Sequence, residues 1–358
     1  MTPPRPQPIS LTTLPEAQLE RLHTFLNAHR AEQLPEDPPI PFSEHLQQWR
    51  NPSANEVWHR WWMLEPDTDG REQVIGLADL DWRDDEPENP DTAWVWVCVA
   101  PHRRRQGLGR ALLHTALAGA VREGRSKLFT SSSGRIPAGA AFMQGLGAKA
   151  GLEERTNQLR LAELNHGYVQ RALERAPLDR FELVWLVSDY PEEWLEALCE
   201  VFGIMNTAPR GDLEFNDFVV TPEQVRQDAQ DTRRHGRRWW TLLVRERASG
   251  RLAGFTELGW HPNRPHLMHQ HGTGVHPAYR GQGLGAWIKA AMLERVLRER
   301  PEVEQVRTGN ADSNAPMLRI NHALGFKPFI ARTAWQLDAV ATLERLSHPL
   351  ENVARASR

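Results

Sequence analysis

The sequence predicts a mixed α/β protein built from two tandem copies of one fold, each a central mixed β-sheet flanked by helices. Three observations predict it. A glycine-rich motif occurs twice, as "VAPHRRRQGLGRAL" (99–112) and "VHPAYRGQGLGAWI" (275–288), with Pro101, Arg104, Gly107 and Gly109 matching Pro277, Arg280, Gly283 and Gly285 at one offset of 176. Upstream, "RWWMLEPDTDGREQVIGLADL" (60–80) lies against "RWWTLLVRERASGRLAGFTEL" (238–258), setting Trp61, Trp62, Gly76, Asp79 and Leu80 opposite Trp239, Trp240, Gly254, Glu257 and Leu258 at an offset of 178. Downstream, Gly147 and Gly325 return to that offset. Self-similarity at a fixed spacing marks a repeated structural unit, and about 160 residues is a usual domain size. The expected organisation is 1–165 as the first domain, 166–180 as a linker, 181–340 as the second domain and 341–358 as a tail.

Period and punctuation give the elements, most clearly in the second copy. "YPEEWLEALCEVFGIM" has helical spacing, and "TPEQVRQDAQDTRRHG" starts with Thr221 and Pro222 as an N-cap signal and stops at Gly236. "RWWTLLVRE" and "LAGFTELGW" alternate like half-buried strands around the turn "RASGR". "HLMHQHGTGV" is a third strand; the glycine loop follows, and then a helix carrying Ile288, Met292 and Val296 on its apolar face. "VEQVRTGN", "SNAPMLRINHALG" and "RTAWQLD" read as strand, helix and strand. The order is α-α-β-β-β-loop-α-β-α-β. We read the four tryptophans at the strand starts as duplicated core packing.

Composition sets limits. Hydrophobic residues make up 40% of the 358, enough for two cores, and no run approaches the ~18 apolar residues of a membrane helix. "MTPPRPQPIS" has no apolar signal region, and two cysteines, Cys98 and Cys199, make no disulfide framework. Both point to a cytoplasmic protein. A buried, inert thiol is the expected state of Cys98. The net charge of -3 gives no pull toward nucleic acid or membrane.

The loop has a physical meaning. A strand that ends in glycines and turns into a helix presents the helix's unpaired N–H groups, with their partial positive charge, to an anion. Neither copy has the Gly-Lys-Ser/Thr ending of a nucleoside triphosphatase loop, and neither supplies the third glycine of a dinucleotide fingerprint.

Two copies of P-x-x-R-x-x-G-x-G, each between strand and helix, resemble the R/Q-x-x-G-x-G/A loop of the GCN5-related N-acetyltransferase (GNAT) superfamily. The resemblance covers the chain twice, over about 9–164 and 181–337, and the tandem arrangement is similar to that of mycothiol synthase-type proteins. It implies acetyl-CoA as the acyl donor. In the first copy the pyrophosphate would meet Arg105, Gln106, Gly107, Leu108, Gly109 and Arg110, behind Arg104. In the second it would meet Gly281, Gln282, Gly283, Leu284, Gly285 and Ala286, behind Arg280. The strand ends at Val99 and Val275 would pair with the pantetheine amides. "TGNADSNAPMLRINHALGF" (308–326) is similar to the N-x-x-A-x-x-x-Y-x-x-x-G-F segment of active members, which assigns Asn310, Asn314 and Asn321 to the coenzyme. Asn321 stands where many relatives have a proton-donating tyrosine. The first copy has Ile136, Met143 and Ala148 at the places of Asn314, Asn321 and Phe326.

A protonated amine must lose a proton before it attacks a thioester, so a base is needed. Glu257, His269 and His271 are the candidates: strand alternation puts His269, His271 and Thr273 on one face, and Glu257 lies on the preceding strand. The resulting expectation is an acetyl-CoA-dependent N-acetyltransferase whose second copy acts on a small-molecule or peptide amine by direct attack in a ternary complex. It would work as a monomer or homodimer, with no metal and no nucleic-acid or membrane partner. The alternatives are a non-catalytic acyl-CoA sensor or scaffold and an aminoacyl transferase using tRNA, the latter wanting a basic face.

Overall fold

The computed structural model describes residues 4–347. Two compact units divide the chain. One is built from the described residues of Met1–Leu152, Asp212–Asn216 and Thr333–Arg358, the other from Glu153–Gly211 and Asp217–Arg332.

In the first unit the chain runs β1 (Gln7–Ile9), α1 (Glu16–Gln33), α2 (Phe42–Arg50), β2 (Glu56–Pro66), β3 (Glu72–Arg83), β4 (Thr92–Val99), α3 (Leu108–Arg122), β5 (Lys127–Ser133) and α4 (Pro137–Gly145). Its strands lie in the order β1-β2-β3-β4-β5, all antiparallel except the parallel β4–β5 pair. β6 (Lys149–Arg160) begins in this unit and continues in the second, where α5 (His166–Glu174), β7 (Phe181–Val187), α6 (Leu195–Phe202), α7 (Pro222–Arg234), β8 (Arg238–Glu246), β9 (Leu252–Trp260) and β10 (Leu267–Val275) follow. Next come α8 (Leu284–Glu299), β11 (Gln305–Ala311), α9 (Ala315–Leu324) and β12 (Lys327–Asp338), whose last residues rejoin the first unit together with α10 (Ala339–Ser347). The second unit's sheet runs β6-β11-β10-β9-β8-β7, with β10 and β11 parallel. Among the described residues no helix is long and apolar enough to cross a membrane.

Local signals account for the element ends. Thr221 and Gln224 form a reciprocal capping box on α7, and Gly236 takes a left-handed φ of 72° behind it. β8 and β9 occupy the residues their alternation predicts. β7 was not in the expected order; "FELVWLV" pairs antiparallel with β8 and supplies the outer strand. The apolar stripe of α8 is sunk completely: Ile288, Met292 and Val296 pack with Leu242, Val244 and Leu258. Each such side chain contributes roughly 1.5–3 kcal/mol by leaving water. In the first unit α3 covers the equivalent face with Leu112, Leu113 and Leu117, and Cys98 is buried with its thiol pKa pushed up by that burial.

The strand register corrects one match made from sequence. Both first hairpins carry a bulge at the same place: Met63↔Gly76 is followed by Leu64↔Val74, and Val244↔Gly254 by Arg245↔Leu252. Met63 therefore corresponds to Val244, at an offset of 181, while Gly76 and Gly254 keep 178. The counterparts of Trp239, Trp240 and Thr241 are Trp58, His59 and Arg60, not the Trp61 pair. Trp61, Trp62 and Trp240 are buried as expected of core residues, but Trp239 is half-buried at the site described next.

Candidate active site

The two glycine loops have one conformation. Residues 101–103 and 277–279 each form a single 3-10 turn, and Arg104 and Arg280 follow with the same φ of -67° and ψ of 160°. Each arginine then folds back to donate to the carbonyl that ends its strand, Arg104 Nε to Val99 O at 3.1 Å and Arg280 Nε to Val275 O at 3.0 Å. Gly107 (φ 84°) and Gly283 (φ 79°) cap α3 and α8, so the N–H groups of Leu284, Gly285 and Ala286 face outward at the start of α8. Arg105, φ 64°, does in the first loop what Gly281, φ 77°, does in the second. A Cβ added at Gly107, Gly281 or Gly283 would meet no protein atom within 4 Å, whereas one at Gly285 would come 3.3 Å from Ile320 Cδ1. The first three leave open space over a helix N-terminus and fit a pyrophosphate; Gly285 lets α8 pack closely on α9. Gln282 accepts from Arg180, and Gln106 from Arg103.

Beside the loop the sheet opens. β10 and β11 pair from Leu267↔Gln305 to Gln270↔Thr308 and no further, although β10 holds on to β9 as far as Val275 and β11 to β6 as far as Ala311. Residues 271–275 and 309–311 thus line a wedge whose backbone groups have no cross-strand partner over the gap. The first unit has the same parting after Trp94↔Phe129.

Glu257 lies at this wedge. Its Oε1 accepts from Trp239 Nε1 at 3.2 Å, Tyr190 OH at 3.3 Å and Thr241 Oγ1 at 3.4 Å. Burial pushes the carboxyl up to about 7, and these three neutral donors oppose the rise. Opposite Glu257, β10 carries a bulge: Gln270 pairs with Leu258 and Thr273 with Thr256, so His271 and Gly272 share one place. A Cβ at Gly272 would approach Glu257 Oε2 to 3.1 Å. The extra residue breaks the alternation expected from sequence. His269 shares a face with Glu257, but Thr273 is on the other, where its hydroxyl meets Thr256 at 2.8 Å and Gln270 donates to Thr256 at 2.6 Å. His271 presses its ring on Trp239, with centroids 4.1 Å apart, and lies 6.5 Å from the His269 ring. Burial of the His271 ring, and then the Arg237 guanidinium, lower its pKa to about 4, which leaves it a weak base.

The asparagines are arranged on the opposite face. Asn314 caps α9 by accepting the N–H of Met317. Asn321, fully buried, donates to Asn310 Oδ1 at 2.7 Å, and Asn157 donates to the same oxygen at 3.3 Å. Asn157 was missed by the sequence reading. Its strand face reads Glu153, Arg155, Asn157, Leu159, and one polar residue after two charged ones carries no signal.

The first unit keeps the loop and the strand parting and loses the surrounding side chains. Asp79 is paired with Arg60 at 3.2 Å, in the place Thr241 takes beside Glu257. β4 runs without a bulge, and Trp96 stands opposite Asp79 where the second unit has His271 and Gly272. Ile136 and Met143 replace the cap and the buried amide. Arg104 is also held by a two-pronged bond to Glu32 at 2.6 and 2.5 Å, whereas Arg280 reaches Thr207 at 2.7 Å. Among the described residues no cluster of His, Cys, Asp or Glu could hold a metal.

Comparisons with known proteins bear on the family and the fold. No curated protein matches the chain. Among solved structures, a tandem GNAT protein from the clavulanic acid biosynthesis pathway is 27% identical with a TM-score of 0.76, the match covering 94% of this chain and 98% of that one. A GCN5-related N-acetyltransferase from Sphaerobacter thermophilus, 15% identical over 95% of this chain and 97% of that one, shares the fold with a TM-score of 0.64. So does a glucosamine N-acetyltransferase region of a fungal multi-domain β-N-acetylglucosaminidase, 12% identical over 94% of this chain and 38% of that one, with a TM-score of 0.65. The acetyltransferase (GNAT) family profile matches twice, over 22–147 and 181–326, each match holding one glycine loop, and the chain belongs to that family as a tandem member.

Proposed function

We propose that the second unit transfers an acetyl group from acetyl-CoA to a primary amine of a small molecule or peptide, by direct attack in a ternary complex. The observation that carries this is the setting of Glu257: a carboxyl raised to about 7, held by three neutral donors at the edge of the wedge, with Thr241 beside it where Asp79 of the first unit has Arg60. Bound acetyl-CoA supplies an acyl group activated as a thioester. The N–H groups at the start of α8 hold its pyrophosphate, and the unpaired edge of β10 up to Val275 aligns its amide-bearing arm. Near neutral pH a substantial fraction of Glu257 is ionised, and that fraction takes the proton of the incoming amine. Trp239, Tyr190 and Thr241 fix which oxygen is presented. His269 and His271 share its face and are the rival bases, His271 weakened by its lowered pKa. In the first unit the loop is intact and the base is tied up, so that unit binds acyl-CoA or serves as a scaffold.

The test is acetyl-CoA-dependent thiol release against a panel of amines, aminoglycosides, amino acids and peptides, corrected for hydrolysis. Release that depends on one amine class supports the transferase. A flat response together with firm acetyl-CoA binding supports the sensor reading instead.

A further inference from the structure

We propose that Asn310 donates the hydrogen bond that receives the departing sulfur in the second unit, with Asn157 and Asn321 as the residues that position it. The inference rests on the acyl-CoA reading of the same wedge and assigns the role left open by the absence of a tyrosine at Asn321.

Placement comes first. Asn310 is two residues beyond Thr308, the last residue of β11 to pair with β10, and so lies on the wedge. It shares a face with Thr308 and hence with Gln270 and Leu258, the face opposite Glu257. Base and amide therefore flank the gap from its two sides, so the donor for the sulfur does not compete with the base for the incoming amine.

Orientation follows from the hydrogen bonds. Asn310 Oδ1 accepts from both Asn321 and Asn157, which uses both lone pairs of that oxygen. The amide plane is thereby fixed, and its NH2 group, which has no partner among the described residues, points away from the two donors. Asn310 itself is only half-buried, whereas Asn157 and Asn321 are fully enclosed. The arrangement is costly, because Asn157 Oδ1 and Asn321 Oδ1 are both buried without a hydrogen bond. The first unit avoids that cost: at the offset of 178, Asn157, Asn310 and Asn321 correspond to Trp335, Ser132 and Met143, and Trp335 simply donates to Ser132 at 2.9 Å.

The chemistry needs a donor more than an acid. In the transfer the amine nitrogen's lone pair forms the C–N bond, the C–S pair stays on sulfur, and the amine proton goes to Glu257. An alkyl thiol has a pKa near ~8.5, so the sulfur can leave as a thiolate near neutral pH if a hydrogen bond stabilises the charge. An amide N–H gives that bond while keeping its proton, and the thiolate takes one from water.

The test measures binding and the protonation of the bound thiol, in a Gly107→Val background that leaves only the second loop intact. Coenzyme A and desulfo-coenzyme A are titrated by calorimetry across neutral to alkaline pH, and the thiolate is followed by its ultraviolet absorbance. We expect the bound thiol to ionise about one pH unit below the free thiol, a roughly tenfold preference for thiolate. Asn310→Ala should abolish that shift, and the near-isosteric Asn310→Asp, which still accepts both amides, should reverse it. Affinity for desulfo-coenzyme A should be unchanged in both. Asn157→Leu should move the thiol as Asn310→Ala does, a readout that a packing role alone would not change. Arg155, the cross-strand partner of Asn310, is paired with Asp312 at 3.0 Å, and both residues are kept in every variant. The same thiol pKa in Asn310→Ala as in the parent overturns the proposal while sparing the coenzyme site. Failure of both ligands to bind overturns the coenzyme reading and this inference with it.

Discussion

Glu257→Gln keeps the size and hydrogen-bonding shape of the side chain and removes its charge, so it separates what the carboxylate does chemically from what it costs the fold. Burial raises this carboxyl from 4.5 to about 7. At about 1.4 kcal/mol per pH unit, the ionised form is disfavoured in the folded state by ~3 kcal/mol. The sign follows from linkage: below pH 4.5 both folded and unfolded chains carry the neutral acid and no penalty exists, and the penalty grows as pH rises and is complete above about 7. The glutamine variant should therefore gain thermal stability relative to the parent at pH 8 and show little gain at pH 4.5. Its turnover should fall by roughly 10²-fold or more, the contribution of a positioned base. In the parent, kcat/KM should decline below about pH 7 as Glu257 takes up its proton. Melting curves at the two pH values and initial rates of thiol release are the assays. A variant that is both less stable at pH 8 and as active as the parent would refute the reasoning.

Other changes follow from the same geometry. Tyr190→Phe removes a donor that favours the ionised Glu257, and should move the acidic limb of kcat/KM to higher pH. Asp79→Asn should leave turnover nearly untouched, since that side chain is paired with Arg60 and lies in the first unit; rates at saturating substrate check it. Burial alone lowers Lys289 on α8 from 10.5 to about 7, a penalty of ~5 kcal/mol that is complete below pH 7 and relieved as pH rises toward 10.5. Lys289→Met should accordingly raise the melting temperature more at pH 6 than at pH 10.

What the sequence made legible was punctuation and period. The glycines at 281 and 283 mark positive φ wherever they occur, and the β8–β9 hairpin could be bounded by alternation alone. Register was not legible. A hairpin three residues shorter in the second unit puts Thr241, rather than a second arginine, beside the carboxylate, and two matching "RWW" strings concealed it. The β10 bulge was hidden for a related reason: one inserted residue reverses the face of everything beyond it, and neither His271 nor Gly272 signals that they share a place. Asn157 belongs to β6, which enters the second unit from the end of the first repeat, so proximity to Asn310 across 153 positions could not be read from either repeat alone.

The most direct test of the account is a pair of single-loop variants, Gly107→Val and Gly283→Val, assayed for acetyl-CoA-dependent thiol release with the best amine of the panel. At both positions a Cβ meets no protein but falls in the open space over a helix N-terminus, and the left-handed φ adds similar backbone strain to each, so the two should fold alike and differ only in which loop is lost. The account predicts that Gly283→Val abolishes release and that Gly107→Val retains it. Loss of release in Gly107→Val with full activity in Gly283→Val would contradict the assignment of catalysis to the second unit.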